Sequence, residues 1–209
     1  MGKFTPVAKV GAVKTMPGLR ERKKAATRQA LHDAAMRLAI EHGLDKVTVE
    51  AIADAAGVSR RTFSNYFAGK EDALLYGDEQ RMRAILESFA ARPPDEPSWT
   101  ALRNAVDDYY RSLGRRPDPE WSMRARLAKR HPSLAARQMA NYAAAEQNLT
   151  ALIAEREGLP PDALRPRVMA AAFLSSVRIA VQMWTDTHPP RPLQEIVHEV
   201  MDEQARPFQ

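Results

Sequence analysis

Residues 47–70 read VTVEAIADAAGVSRRTFSNYFAGK, and this stretch decides the fold of the N-terminal part of the chain. It divides into two short helices at a single glycine. Thr48 can N-cap the first helix, whose apolar stripe is Ile52, Ala53 and Ala56. Gly57 sits where the chain must reverse, and a residue without Cβ is the cheapest occupant of a left-handed turn. Ser59 then N-caps a second helix, expected over Ser59–Phe67, with Phe63 and Phe67 buried at i and i+4. That arrangement leaves Arg60, Arg61, Thr62, Asn65 and Tyr66 on the open face and first turn. A short helix that shows two arginines, a hydroxyl, an amide and a phenol suits a nucleic-acid groove.

Charge supports the same reading. The 209-residue chain carries a net charge of +5, and residues 1–70 hold 13 Lys/Arg against 6 Asp/Glu, whereas the rest hold 18 against 20. The basic excess therefore lies with the two-helix motif and points to a polyanionic partner. Cysteine is absent, which removes disulfide and thiolate chemistry and suits a reducing cytoplasm. No apolar run approaches the roughly 20 residues that a membrane helix needs. Met169–Trp184 comes nearest and is interrupted by Ser175, Ser176, Arg178 and Gln182. No secretory signal pattern precedes the motif, so a cytoplasmic protein with no membrane partner is expected.

Outside the motif the periodicity is helical throughout. Residues 1–18 read as a disordered basic arm ending in Met16-Pro17-Gly18. Arg20–His42 is expected as a first helix with a Leu31, Ala34, Ala35, Leu38 stripe, stopped by Gly43. A long helix should run from Lys70–Glu71 to Ala91, with Leu74, Met82, Ile85 and Phe89 inward, and end at Pro93 and Pro94. Further helices are expected over Trp99–Leu113, Glu120–Arg130, Ser133–Glu157, Ala163–Thr187 and Leu193–Ala205, with proline breaks between them. The fold class is all-α. A helix-turn-helix domain at 19–69 precedes a helical bundle at 70–209, the boundary lying near Gly69–Lys70.

Catalytic constellations are missing from this pattern. The five histidines are scattered, and only His198 with Asp202 has metal-ligand spacing, too few ligands for a structural zinc site. Asp107 and Asp108 are adjacent on a helix and so face different ways. Ser175 and Ser176 have no base partner in view, and no glycine-rich phosphate loop occurs. Neither an enzyme, a metal nor a cofactor is expected.

The run Ile52-Ala53, Ala56-Gly57-Val58-Ser59, Thr62, Phe67, Lys70-Glu71 resembles the DNA-binding domain of TetR-family transcriptional repressors, over Gln29 to Leu75. The chain departs from that pattern at Ser64, where the family usually carries a phosphate-contacting Tyr. Tyr66 stands two residues on as the substitute. DNA contact is accordingly expected from Thr48, Ser59, Arg60, Arg61, Thr62, Asn65, Tyr66 and Lys70, with Thr48 and Lys70 on phosphates. The resemblance implies a double-stranded DNA operator, a homodimer, and a small apolar or amphipathic effector held in the bundle. Phe89, Tyr109, Trp121, Tyr142 and Phe173 are the pocket candidates among many aromatics whose ordinary role is core. Arg124 and Arg126 could anchor an anionic group. Residues 121–134 also resemble the effector domain of mycofactocin-type regulators, which implies a long-chain acyl thioester as one effector class. The expected dimer face comprises Ala171, Ser175, Ile179, Leu193, Ile196, Val197 and Val200. The rival reading is a helical ligand-sequestering protein whose helix-turn-helix only packs, and such a motif has no need of the local basic excess.

Overall fold

The computed structural model describes residues 18–114, 131–186 and 191–206. Among them are eight α-helices and no strand: α1 (Leu19–His42), α2 (Val49–Ala55), α3 (Arg60–Ser64), α4 (Lys70–Ala91), α5 (Ser98–Ser112), α6 (Pro132–Glu157), α7 (Leu164–Asp186) and α8 (Leu193–Gln204). A 3-10 turn, Leu44–Lys46, joins α1 to α2. The fold is all-α, as the periodicity indicated. The expected arm and the expected helix Glu120–Arg130, with Trp121, Arg124 and Arg126, lie outside the described residues.

The local signals act as their chemistry requires. Thr48 Oγ1 accepts from the Ala51 N–H at 3.1 Å, and Ser59 Oγ from the Thr62 N–H at 3.1 Å, so each motif helix has its side-chain cap. Gly57 takes φ 68°. Around it Val58 N donates to Ala53 O and Gly57 N to Asp54 O, each at 3.0 Å, the paired closure of a left-handed helix end. The second motif helix is shorter than expected. Beyond Ser64, Asn65 N reaches Thr62 O at 3.1 Å and Tyr66 N reaches Phe63 O at 2.9 Å, so the last turn tightens to i−3 bonding. This tightening still delivers Phe67 into the core beside Phe63, with ring centroids 5.8 Å apart.

Two apolar cores result. One gathers Leu31, Ala35 and Met36 of α1, Ile52 of α2, Phe63 and Phe67, and Ala73, Leu74, Leu75 and Tyr76 of α4, together with Leu134 of α6. The other gathers Ile85, Leu86 and Phe89 of α4 with the inward faces of α5, α6, α7 and α8. Helix α4 therefore serves both cores, its first two turns the N-terminal one. At its far end Arg156 of α6 lies over the Phe89 ring at 5.3 Å and donates to the carbonyls of Arg92 and Glu96.

Three expectations about the bundle change. Leu193, Ile196 and Val197 do not form an open stripe; at 4%, 1% and 3% exposure they are core of their own protomer. The reason is that α8 packs its apolar face onto α7 and α5, leaving only Val200 of that group half-buried. Phe89 and Phe173, at 1% and 0%, are sealed in the same core. A ring with no accessible surface has no water-sized void beside it, so neither lines a cavity. Finally, α7 is more membrane-like than the Met169–Trp184 stretch suggested, since an 18-residue window within Leu164–Thr185 reaches mean hydropathy 1.3. It nevertheless buries Ala170, Phe173, Leu174, Val177 and Ala180 against its neighbours and reads as a bundle-core helix.

Candidate nucleic-acid interface

Helix α3 presents its first turn to solvent because Phe63 and Phe67 fix its other face. Arg61 is exposed, and among the described residues no carboxylate engages it. Arg60 is exposed too but pairs with Glu50 of α2 at 3.0 Å. Such a surface pair is worth little and yields readily to a phosphate or a base edge. Asn65 is exposed, while Thr62 and Tyr66 are half-buried. Ser59 Oγ and Thr62 Oγ1 lie 2.9 Å apart, so these two hydroxyls orient one another. Thr48 uses its oxygen as acceptor for the α2 cap, leaving its O–H to donate outward. Ser64 turns back to the Arg60 carbonyl at 3.2 Å and so does not stand in for an outward tyrosine.

Beside α3 the start of α1 completes an open groove of about 750 Å³, lined by Leu19, Arg20, Glu21, Lys23, Lys24 and Thr27 of α1 and by Thr62, Asn65 and Tyr66, three cations to one carboxylate. The α1 cations were missed as site residues, although the run Leu19-Arg20-Glu21-Arg22-Lys23-Lys24 was a visible signal. Arg28 was missed as well. Its guanidinium sits 5.5 Å from the Phe67 and Tyr76 ring centroids and donates to the Tyr66 carbonyl at 3.1 Å, which fixes the end of α3 to α1. Only folding could bring those groups together.

Lys70 is the correction on this surface. Its ammonium does not stand free for a phosphate; it donates to the carbonyls of Leu44 and Val47, each at 3.0 Å. It thereby ties the first residue of α4 to the turn before α2. Lys70→Ala is expected to cost about 1.5–3 kcal/mol of stability, the range for hydrogen bonds from a charged donor. The salt dependence of DNA binding should stay the same. A salt slope lowered by about one unit, without a lower melting temperature, would restore the phosphate role.

In the bundle, Tyr109 packs edge-on to Tyr110, with centroids 5.4 Å apart. Tyr142 of α6 is half-buried, and its hydroxyl is pushed up to about 12 by burial and then by the nearby Asp78 charge, so at neutral pH it is an uncharged hydrogen-bonding group. Tyr109 and Tyr142 are the half-buried ones among the described pocket candidates. Asp107 faces His198 of α8 at 3.1 Å while Asp108 faces Ser88 and Arg92, so the adjacent carboxylates do point apart. Burial holds the His198 imidazole below its ordinary range. Asp202 pairs with Arg103, so His198 and Asp202 are not turned to a common ligand.

Residues 31–76 match the family described as bacterial regulatory proteins, tetR family, and residues 96–209 match the MftR C-terminal domain. The chain belongs to the TetR family of transcriptional regulators. It is 34% identical to the HTH-type transcriptional regulator TcmR of Streptomyces glaucescens over 177 residues, covering 80% of this chain and 77% of TcmR. It is 27% identical over 167 residues to MftR of Mycobacterium tuberculosis, named for the regulation of mycofactocin biosynthesis, covering 78% and 82% of the two chains. Among solved structures, SmeT in complex with triclosan shares the fold at TM-score 0.59 and 18% identity, covering 86% of this chain and 90% of SmeT. The protein is therefore a helix-turn-helix regulator, and its family is one of DNA-binding proteins and not of enzymes.

Proposed function

We propose that this TetR-family regulator is a cytoplasmic repressor that binds a pseudo-palindromic operator as a homodimer and is released by a small apolar or amphipathic effector held in the bundle. The observation that carries the DNA-binding part is the exposed Arg61 at the first turn of α3, flanked by Arg60 and by the α1 cations of the groove. An arginine there can reach guanine O6 and N7 in a major groove, while Thr48, Ser59 and the α1 cations meet phosphates on either side. A sequestering protein would have no use for this concentration of cations.

The outer face of α7 supports the dimer. This face carries Leu164, Val168, Ala171, Ser175, Ile179 and Met183 at helical spacing, with Leu164, Val168 and Met183 74%, 56% and 45% exposed. Small and apolar side chains on one ridge allow close approach of the same helix from a second copy. A dimer also supplies two reading heads for a two-fold operator. Tyr109 and Tyr142 could give the effector polar anchors beside apolar surface. SmeT, of the same fold, is solved with triclosan, a small molecule.

Titration of mixed-sequence DNA at several salt concentrations tests the DNA-binding part. Affinity that falls steeply with salt is expected, and binding without salt dependence would overturn it. Arg61→Ala should then weaken binding to a selected operator by about 1–3 kcal/mol and relax preference at one base position. A titration across operator variants that shows the same affinity and the same preference would remove Arg61 from the base-reading set.

A further inference from the structure

The DNA-reading unit is held by more than the covalent link through α4. The first two turns of α6 and its N-cap residue touch it at three points. Leu134 is 1% exposed and lies within the N-terminal core. His131 Nδ1 is 3.4 Å from Asp45 Oδ1, on the turn that leads into α2. Arg137 Nε meets Asp72 Oδ1 in the first turn of α4. These contacts fall on both sides of the helix-turn-helix, Asp45 just before it and Asp72 just after.

Asp72 divides its two oxygens. Oδ1 takes the Arg137 guanidinium, and Oδ2 accepts from the Ala68 N–H at 3.1 Å. Ala68 follows Phe67 directly, so this amide is the first backbone group beyond the recognition segment. A charged acceptor shared between a backbone N–H and a guanidinium is directional, and movement of one donor drags the carboxylate from the other. The other end of α6 buries Leu149, Ile153 and Ala154 in the bundle core. A helix rising 1.5 Å per residue carries a displacement there to Arg137, about 18 Å away, with little loss.

We propose that Arg137 and Asp72 are positioning residues for DNA reading: the link from α6 through Arg137 and Asp72 to the Ala68 N–H sets the angle of α3, so that a shift of α6 in the bundle reaches the reading head through the first turn of α4. Half-exposure of Arg137, at 47%, means that the ion pair adds little to stability, so its purpose is geometric. The proposal rests on α3 being the DNA-reading helix.

The test uses the full-length protein, a duplex recovered by in-vitro selection with the wild type, and a mixed-sequence duplex. Arg137→Ala should lower affinity for the selected duplex about 10-fold while leaving the mixed duplex and its salt slope unchanged. It should also speed hydrogen exchange at the Ala68 amide. Asp72→Asn should do the same, the double variant should be no worse than either single one, and Arg137→Lys should recover most of the affinity. Unchanged affinity with unchanged Ala68 exchange would overturn the link. Equal losses on both duplexes, with a salt slope lower by about one unit, would make Arg137 a phosphate contact instead. Should the wild type bind neither duplex, the DNA reading of α3 fails. Exchange at Ala68 in Arg137→Ala, which needs no DNA, would then decide the link by itself.

Discussion

Val197→Arg is expected to destabilise the bundle strongly, whereas Val168→Arg is expected to leave its stability unchanged and separate the two copies. Both residues are apolar and lie on the last two helices, so sequence pattern alone treats them alike. Val197 is 3% exposed in the core of its own protomer, and Val168 is 56% exposed on α7. An arginine at position 197 would carry its charge into that apolar cluster, and a buried unpaired charge costs about 3–5 kcal/mol. Against the roughly 5–15 kcal/mol of a typical domain, this is enough to lower the melting temperature by many degrees. At position 168 the same side chain meets water in the monomer and should leave the melt almost unchanged. Across a two-fold axis, however, the substitution sets two like charges into an apolar ridge. Operator affinity should fall by about 10²-fold or more as the second linked reading head is lost. Sedimentation velocity with a thermal melt of each variant separates the two. A stable dimer of Val168→Arg with wild-type operator affinity would reject α7 as the pairing face, and a normal melt for Val197→Arg would reject its place in the core.

The motif was legible because each of its signals is local. Thr48, Gly57 and Ser59 act on backbone groups within a few residues, so caps and turn could be assigned from spacing, and the structure places all three as expected. Among the described residues, helix boundaries elsewhere were set by proline and glycine and fell within a residue or two. What the sequence did not carry was which apolar stripe meets which neighbour. Leu193, Ile196 and Val197 have the spacing of any amphipathic face, and only the packing of α8 on α7 and α5 decides that this face points inward. Lys70 illustrates the same gap in polar chemistry. A helix-start lysine suits a phosphate, yet the Leu44 and Val47 carbonyls lie within its reach, and nothing in residues 44–47 advertises them. Arg28, Arg137 and Asp72 were likewise invisible, because their partners lie 38, 65 and 65 positions away in the chain for the pairs Arg28–Tyr66 and Arg137–Asp72.

Phe173→Ala is expected to lower stability by about 3–5 kcal/mol, the cost of removing a fully buried ring and leaving a cavity that its neighbours fill only in part. Phe173 has 0% exposure and sits mid-way along α7, packed among side chains of the bundle core that include Phe89 and Ile153. Aromatic residues in a ligand-binding bundle have two possible duties that the spacing of α7 cannot separate. A pocket wall keeps accessible surface in the empty protein, so its truncation enlarges an existing void and costs little. A core ring has none, and its truncation creates the void. The accessible surface of Phe173 assigns it to the second case, and of the pocket candidates it leaves Tyr109 and Tyr142 as the half-buried pair. Urea titration checks the assignment, with a lower midpoint and an unchanged slope expected. A midpoint within experimental error of the wild type, together with altered uptake of an apolar dye such as 8-anilinonaphthalene-1-sulfonate by the folded protein, would return Phe173 to the pocket and imply that the bundle opens a cavity along α7.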